Sequence, residues 1–135
     1  MPPFTADPAR FLTGFLSSFT ADLLVDDADP AEVVDRYHTP DVVQVADGHR
    51  MDRERLIAHT RPVRRNRPEG RVEVHDAAVD GDLLTARYTL RVEQRGRRLA
   101  LDVYFFGRFT PDGRLRRAHM LTRSLPADGD AGEAR

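Results

Sequence analysis

Asp76 and His119 are the two side chains best suited to move a proton to and from a bound molecule. A carboxylate withdrawn from water becomes a better base, and an imidazole changes charge near neutral pH. As a pair they can serve a carbon acid as general base and general acid. Arg117, two residues before His119, can stabilise the enolate oxygen that such a reaction creates. The Tyr88 and Tyr37 hydroxyls can donate to a carbonyl, although a tyrosine with its ring in the core and its hydroxyl at the edge is the commoner arrangement. Gln44, on the first strand, points inward, and His59 lies beside an apolar helical stripe from which it can reach the same space. Phe105 excludes water, and Gly107 leaves volume unfilled.

Other chemistries are ruled out by residue type. The chain has no cysteine, so it has neither thiolate nucleophiles nor disulfides. All 21 basic residues are arginine, which removes Schiff-base catalysis. The five histidines show no close ligand spacing of the H-E-x-x-H kind, so no metal is expected.

These residues need elements to position them. Asp7-Pro8 reads as an N-cap with proline in the first turn, followed by Phe11, Leu12, Phe15, Leu16, Phe19 and Leu23 at helical spacing. Asp29-Pro30 repeats the signal for a short helix with Val33, Val34 and Tyr37, ending near Thr39 before Pro40. A short strand over 42–46 and an Asp47-Gly48 turn follow. Asp52 then caps a third helix carrying Leu56, Ile57 and Thr60, kinked or ended at Pro62. His38 and His49 fall in loops, where solvent is their natural environment. From residue 71 the period becomes two, predicting strands over 71–79, 83–94, 97–110 and 114–125 joined by short hairpin turns. The polar stretch 126–135 is read as a disordered tail, leaving 1–125 as one α+β domain.

Turn lengths set the strand register. The Arg95-Gly96 turn pairs Val92 with Leu99, Tyr88 with Val103, Ala86 with Phe105 and Leu84 with Gly107. A three-residue loop over 80–82 pairs Ala78 with Leu84, Asp76 with Ala86 and Val74 with Tyr88. A three-residue loop at Gly113 pairs Phe109 with Leu115, Gly107 with Arg117 and Phe105 with His119. On this count Asp76, Arg117 and His119 share the inner face with Ala78, Ala86 and Gly107. Charged groups beside small ones suggest a wet or ligand-filled pocket. The alternative is an Asp76–Arg117 salt bridge that closes one end of the sheet. The outer face carries Tyr104 and Phe106, which a homodimer interface would cover.

A net charge of −1 draws the chain toward neither nucleic acid nor anionic lipid. The basic run Arg61, Arg64, Arg65, Arg67 and Arg71 lacks the interleaved aromatics of a nucleic-acid site. No apolar run approaches the length that spans a bilayer, and the N-terminus lacks a signal-peptide pattern, so a cytoplasmic address is expected.

The segments ARFLTGFLSSFTADLL, YHTPDVVQVADGHRMDRERLIAHTRP, VHDAAVDGD and FTPDGRLRRAHML, in this order over residues 7–125, resemble the SnoaL-like branch of the nuclear-transport-factor-2-like superfamily. The resemblance implies three N-terminal helices packed into a strongly curved mixed or antiparallel sheet, a cone-shaped α+β barrel with an internal pocket, and frequent homodimers. It also implies cofactor-free proton transfer by pocket carboxylates, histidines and tyrosines. The first helix offers phenylalanines where the ketosteroid isomerases of the superfamily place a tyrosine. No aspartate-arginine-aspartate set of the epoxide hydrolase kind is recognisable. Two readings follow: a cyclase, isomerase or lyase acting on a polyketide-like or other carbonyl metabolite, or a non-catalytic binding or assembly module of the same fold.

Overall fold

The computed structural model describes residues 1–126. The expected tail, apart from Pro126, lies outside the described residues. The elements are α1 (Pro8–Leu23), α2 (Pro30–Tyr37), β1 (His38–Ala46), β2 (His49–Asp52), α3 (Arg53–Asn66), β3 (Glu69–Asp80), β4 (Leu83–Gln94), β5 (Arg97–Phe109) and β6 (Leu115–Leu125). All three aspartate caps form. Asp7 accepts from the Arg10 amide, Asp29 from Ala31 and Asp52 from Arg55, each at 3.1 Å. No helix among the described residues is long and apolar enough to cross a membrane.

Three boundaries differ from expectation. β1 begins at His38, ahead of Pro40, because this first stretch pairs with Leu115 at the start of β6. Residues 49–52 form β2 against β1, where only a turn was read. α3 runs through Pro62 and ends at Arg67, whose left-handed φ of 44° closes the helix. Arg64 supports this last turn by donating to the carbonyls of Leu23, Val25 and Ala28, which holds α3 to the end of α1.

The six strands form one mixed sheet in the order β2-β1-β6-β5-β4-β3, with β1 and β6 parallel and the other neighbours antiparallel. The sheet is curved but not closed, so the expected barrel is an open cone whose edges are β2 and β3. α1 covers the concave face. Phe15 meets Phe109 edge-on at 5.4 Å and Phe11 meets it at 5.2 Å, and Leu12, Phe4, Leu84, Phe105 and Leu115 complete the buried centre.

The β4–β5 register is the one counted from the Arg95-Gly96 turn, with Tyr88 opposite Val103 and Ala86 opposite Phe105. The other two hairpins differ by one residue in part of their length. β3 and β4 are joined by two residues, Gly81 and Asp82, so Asp80 pairs with Leu83 and Ala77 with Ala86. A bulge at His75 then restores the counted pairing of Val74 with Tyr88 and Val72 with Leu90. In β6 the pair Phe109–Leu115 is as counted, but a bulge at Arg116 shifts everything beyond it, so Ala118 faces Gly107 and Met120 faces Phe105. A one-residue shift exchanges the two faces of a strand. Asp76, Ala78, Arg117 and His119 therefore project from the convex face, and Ala77, Val79, Ala118 and Met120 from the concave face.

Candidate functional site

Four rows make up the centre of the concave face. They run Gln44–Ala118–Gly107–Leu84–Val79, then Ala46–Met120–Phe105–Ala86–Ala77, then Thr122–Val103–Tyr88–Val74, and finally Ser124–Leu101–Leu90–Val72. None of these positions holds a carboxylate, an imidazole or a guanidinium. The polar groups available there are Gln44, Tyr88, Thr122 and Ser124, of which Thr122 is already bound to the Asp47 carboxylate.

Tyr88 lies at the middle of this surface. Its ring is 5% exposed and packs against Phe105 at 6.4 Å. Its hydroxyl has no hydrogen-bond partner among the described residues. Burial pushes its pKa up to about 12, so at neutral pH it is a phenol that can donate one hydrogen bond. The hydroxyl is not among the fully buried unpaired atoms, so it reaches solvent and is free to donate to an acceptor supplied by a ligand. Gln44, two rows and three strands away, is another polar group on the same face.

The remaining sequence candidates are placed elsewhere. Asp76 is exposed and pairs with Arg87 at 3.3 Å on the convex side. His119 is exposed in the convex row of Phe106 and Thr85, and Arg117 donates to the Asp41 carbonyl at 2.7 Å. The expected acid-base pair is thus absent from the concave face, and the expected Asp76–Arg117 bridge does not form either. His59 is exposed on α3 rather than reaching inward. The Tyr37 hydroxyl is committed to the Asp22 carboxylate at 2.5 Å, with Arg36 on the same carboxylate at 2.8 Å. These bonds hold the Asp22 pKa below the usual range.

Gly107 does not border a void. A Cβ there would stand 2.5 Å from the Phe105 ring, so the aromatic side chain already fills the space. His38, read as a loop residue in solvent, is fully buried against α1. The inward residues missed from sequence are Ala77 and Val79 in β3 and Ala118, Met120, Thr122 and Ser124 in β6. The signal for Ala118 and Met120 was the alternation Arg117-Ala118-His119-Met120, whose polarity sorts inside from outside without any count from the turn.

The convex face carries the charge. Thr89 donates to Asp102 at 3.0 Å, Arg123 donates to the other Asp102 oxygen at 3.0 Å, and His75 meets the Thr89 hydroxyl at 2.7 Å. Chiefly because of Arg123, the buried Asp102 titrates below its ordinary value. Beside this network Tyr104, Phe106 and Leu121 are exposed, at 44%, 55% and 66%. A shallow depression of about 290 Å³ adjoins them, lined by Ala78, Thr85 and Arg87 among others. No three histidines or carboxylates among the described residues are grouped so as to hold a metal ion.

Comparison with known proteins fits this architecture. The profile of the SnoaL-like domain matches residues 16–118, so the chain belongs to the SnoaL-like family. Among curated proteins no sequence matches. Several solved structures share the fold. IdmH of Streptomyces antibioticus, a polyketide cyclase candidate, is 18% identical with a TM-score of 0.61, over 86% of this chain and 91% of that one. An LEH-like epoxide hydrolase of M. tuberculosis is 18% identical with a TM-score of 0.62, over 86% and 85%. A Catenulispora acidiphila protein of ketosteroid isomerase-like fold, in complex with trimethylamine, is 14% identical with a TM-score of 0.59, over 93% and 89%.

Proposed function

We propose, with membership of the SnoaL-like family as the premise, that this chain is a cytoplasmic binding protein for a small, mainly apolar carbonyl metabolite of the polyketide kind. The ligand lies on the half-exposed rows of the concave face that hold Thr122, Leu101 and Leu90, beyond the core under α1, and Tyr88 donates a hydrogen bond to its carbonyl oxygen. What supports this reading is the Tyr88 hydroxyl, a donor without a partner in rows that contain no charged side chain. Such a surface favours an uncharged, flat molecule with few polar atoms. A cysteine-free chain suits a reducing compartment.

A second reading is cofactor-free proton transfer of the cyclase, isomerase or lyase type, favoured by the fold likeness to the polyketide cyclase candidate. In that reading Tyr88 would stabilise an enolate, and the base would be a group other than Asp76 or His119.

Titration with 1-tetralone, a bicyclic aryl ketone, tests the first reading. Tyr88→Phe should weaken binding by about tenfold, the worth of one hydrogen bond of roughly 1.4 kcal/mol, while Asp76→Asn and His119→Gln leave it unchanged. Equal affinity of Tyr88→Phe and wild type, with loss in the other two variants, would move the site to the convex face. Protein-dependent deuterium uptake at the carbon beside the ketone would favour the second reading.

A further inference from the structure

We propose that His38 is an acid-sensitive latch, a neutral imidazole at the α2–β1 junction that holds α1 against the sheet and releases it on protonation. The proposal is independent of what the concave face binds.

His38 has no exposed surface. Its Nδ1 lies 2.8 Å from the Val34 carbonyl, which accepts only if Nδ1 carries the proton. The remaining nitrogen, Nε2, is buried and has no hydrogen-bond partner. The Nδ1 bond therefore selects one neutral tautomer and leaves a bare lone pair in the interior. Two α1 rings close the cage, Phe19 with its centroid at 4.8 Å and Phe15 at 5.9 Å, both steeply inclined to the imidazole. The His38 backbone pairs with Leu115 of β6. One residue thus joins α1 and α2 through its side chain and β1 and β6 through its backbone.

A second proton would go to Nε2 and place a cation there with nothing to receive its N–H. The charged groups around the junction offer little relief. From α2, Asp35 favours the imidazolium, but Arg53 of α3 takes both its oxygens at 2.7 and 2.9 Å, and Arg114 before β6 adds positive charge. From α1, Asp22 is occupied by Tyr37 and Arg36, and from β1 Asp41 is bound by Thr39. Burial accordingly lowers the His38 pKa, outweighing the Val34 bond and Asp35.

The sign follows. An imidazole whose folded pKa lies below its unfolded value of about 6.5 takes up protons more readily in the unfolded chain. Its contribution to stability is complete above about pH 6.5. Below that the folding constant falls by up to tenfold per pH unit until the folded midpoint is reached. The strain falls on the contact with Phe15 and Phe19, so α1 is the element that loosens.

Two measurements test the latch. In wild-type protein, NMR titration of the imidazole carbon-bound protons needs no substitution. It should show one histidine remaining neutral below pH 6 while the chain stays folded, with His38→Asn identifying that resonance. Urea unfolding at pH 7.5 and pH 5.5 should show wild type losing several-fold more of its folding constant than His38→Phe or His38→Asn, the latter keeping a donor for Val34. If the aromatic faces compensate the cation, His38 will titrate at the unfolded midpoint or above it. That result, or equal acid losses in wild type and both variants, overturns the proposal.

Discussion

Replacing Gly107 by alanine tests whether the concave face has spare volume at its centre. The new methyl carbon would stand 2.5 Å from Cε2 and Cζ of Phe105 and 3.1 Å from Cε1 of Phe109. Ordinary carbon contacts lie at about 3.5–4.0 Å, so the Phe105 ring must retreat by roughly 1 Å. It has little freedom to do so, being 2% exposed with Tyr88 at 6.4 Å and Phe109 at 6.3 Å. Overpacking of this kind costs about 1–3 kcal/mol. With a urea m-value of about 2 kcal/mol/M, a 2 kcal/mol loss lowers the unfolding midpoint by about 1 M at unchanged m. The assay is equilibrium urea denaturation followed by circular dichroism. A midpoint equal to or above that of wild type would mean that the methyl enters free space. The reasoning from Phe105 would then be refuted, and the sequence expectation of a void at Gly107 would be restored.

Two further predictions concern the convex face. Asp102→Asn should cost about 1 kcal/mol at pH 7, because the charge-assisted bond from Arg123 is weakened while Thr89 keeps an acceptor. Because the folded Asp102 pKa is depressed, its contribution is present above about pH 4 and is lost as pH falls through the folded value, so the variant should show a flatter acid limb in urea unfolding. A second copy of the chain is proposed to cover Tyr104, Phe106 and Leu121, and sedimentation velocity should show a dimer that Phe106→Asp converts to monomer. A wild-type sedimentation coefficient that stays monomeric at all concentrations would remove the interface.

The helices were legible because their signals are local. Asp7, Asp29 and Asp52 each bond an amide two or three residues away, a relation that spacing alone states. The Arg95-Gly96 hairpin was legible for the same reason, since both turn residues adopt positive φ, of 52° and 76°, and a two-residue turn sets the whole β4–β5 register. His38 was not legible. Nothing near it in sequence marks burial, which arises from Phe15 and Phe19 on α1 and from pairing with Leu115. β2 escaped notice because its four residues, two exposed and then two half-buried, show no alternation that would separate strand from turn.

A shorter turn and a bulge explain why the proposed site changed character between sequence and structure: the two-residue Gly81-Asp82 connection turns Asp76 outward, and the Arg116 bulge does the same for Arg117 and His119. Counting outward from a turn assumes the turn's length and one residue opposite one, and the first assumption fails at Gly81-Asp82 and the second at Arg116. What selects the bulged register is the cost of the alternative. Without the Arg116 bulge, Arg117 and His119 would enter the concave face while Ala118 and Met120 left it. Burying an unpaired guanidinium there would cost several kcal/mol, far more than one interrupted ladder. With the bulge, Arg116 reaches Asp82 in the β3–β4 turn at 3.0 Å, and Arg117 bonds the Asp41 carbonyl. Both irregularities thus have the same effect, turning ionisable side chains to the convex side and leaving an interior whose central polar group is the Tyr88 phenol. A concave face cleared of charge in this way is suited to holding a neutral molecule by shape and a single directed hydrogen bond. For that reason, binding takes precedence over acid-base catalysis in the functional reading.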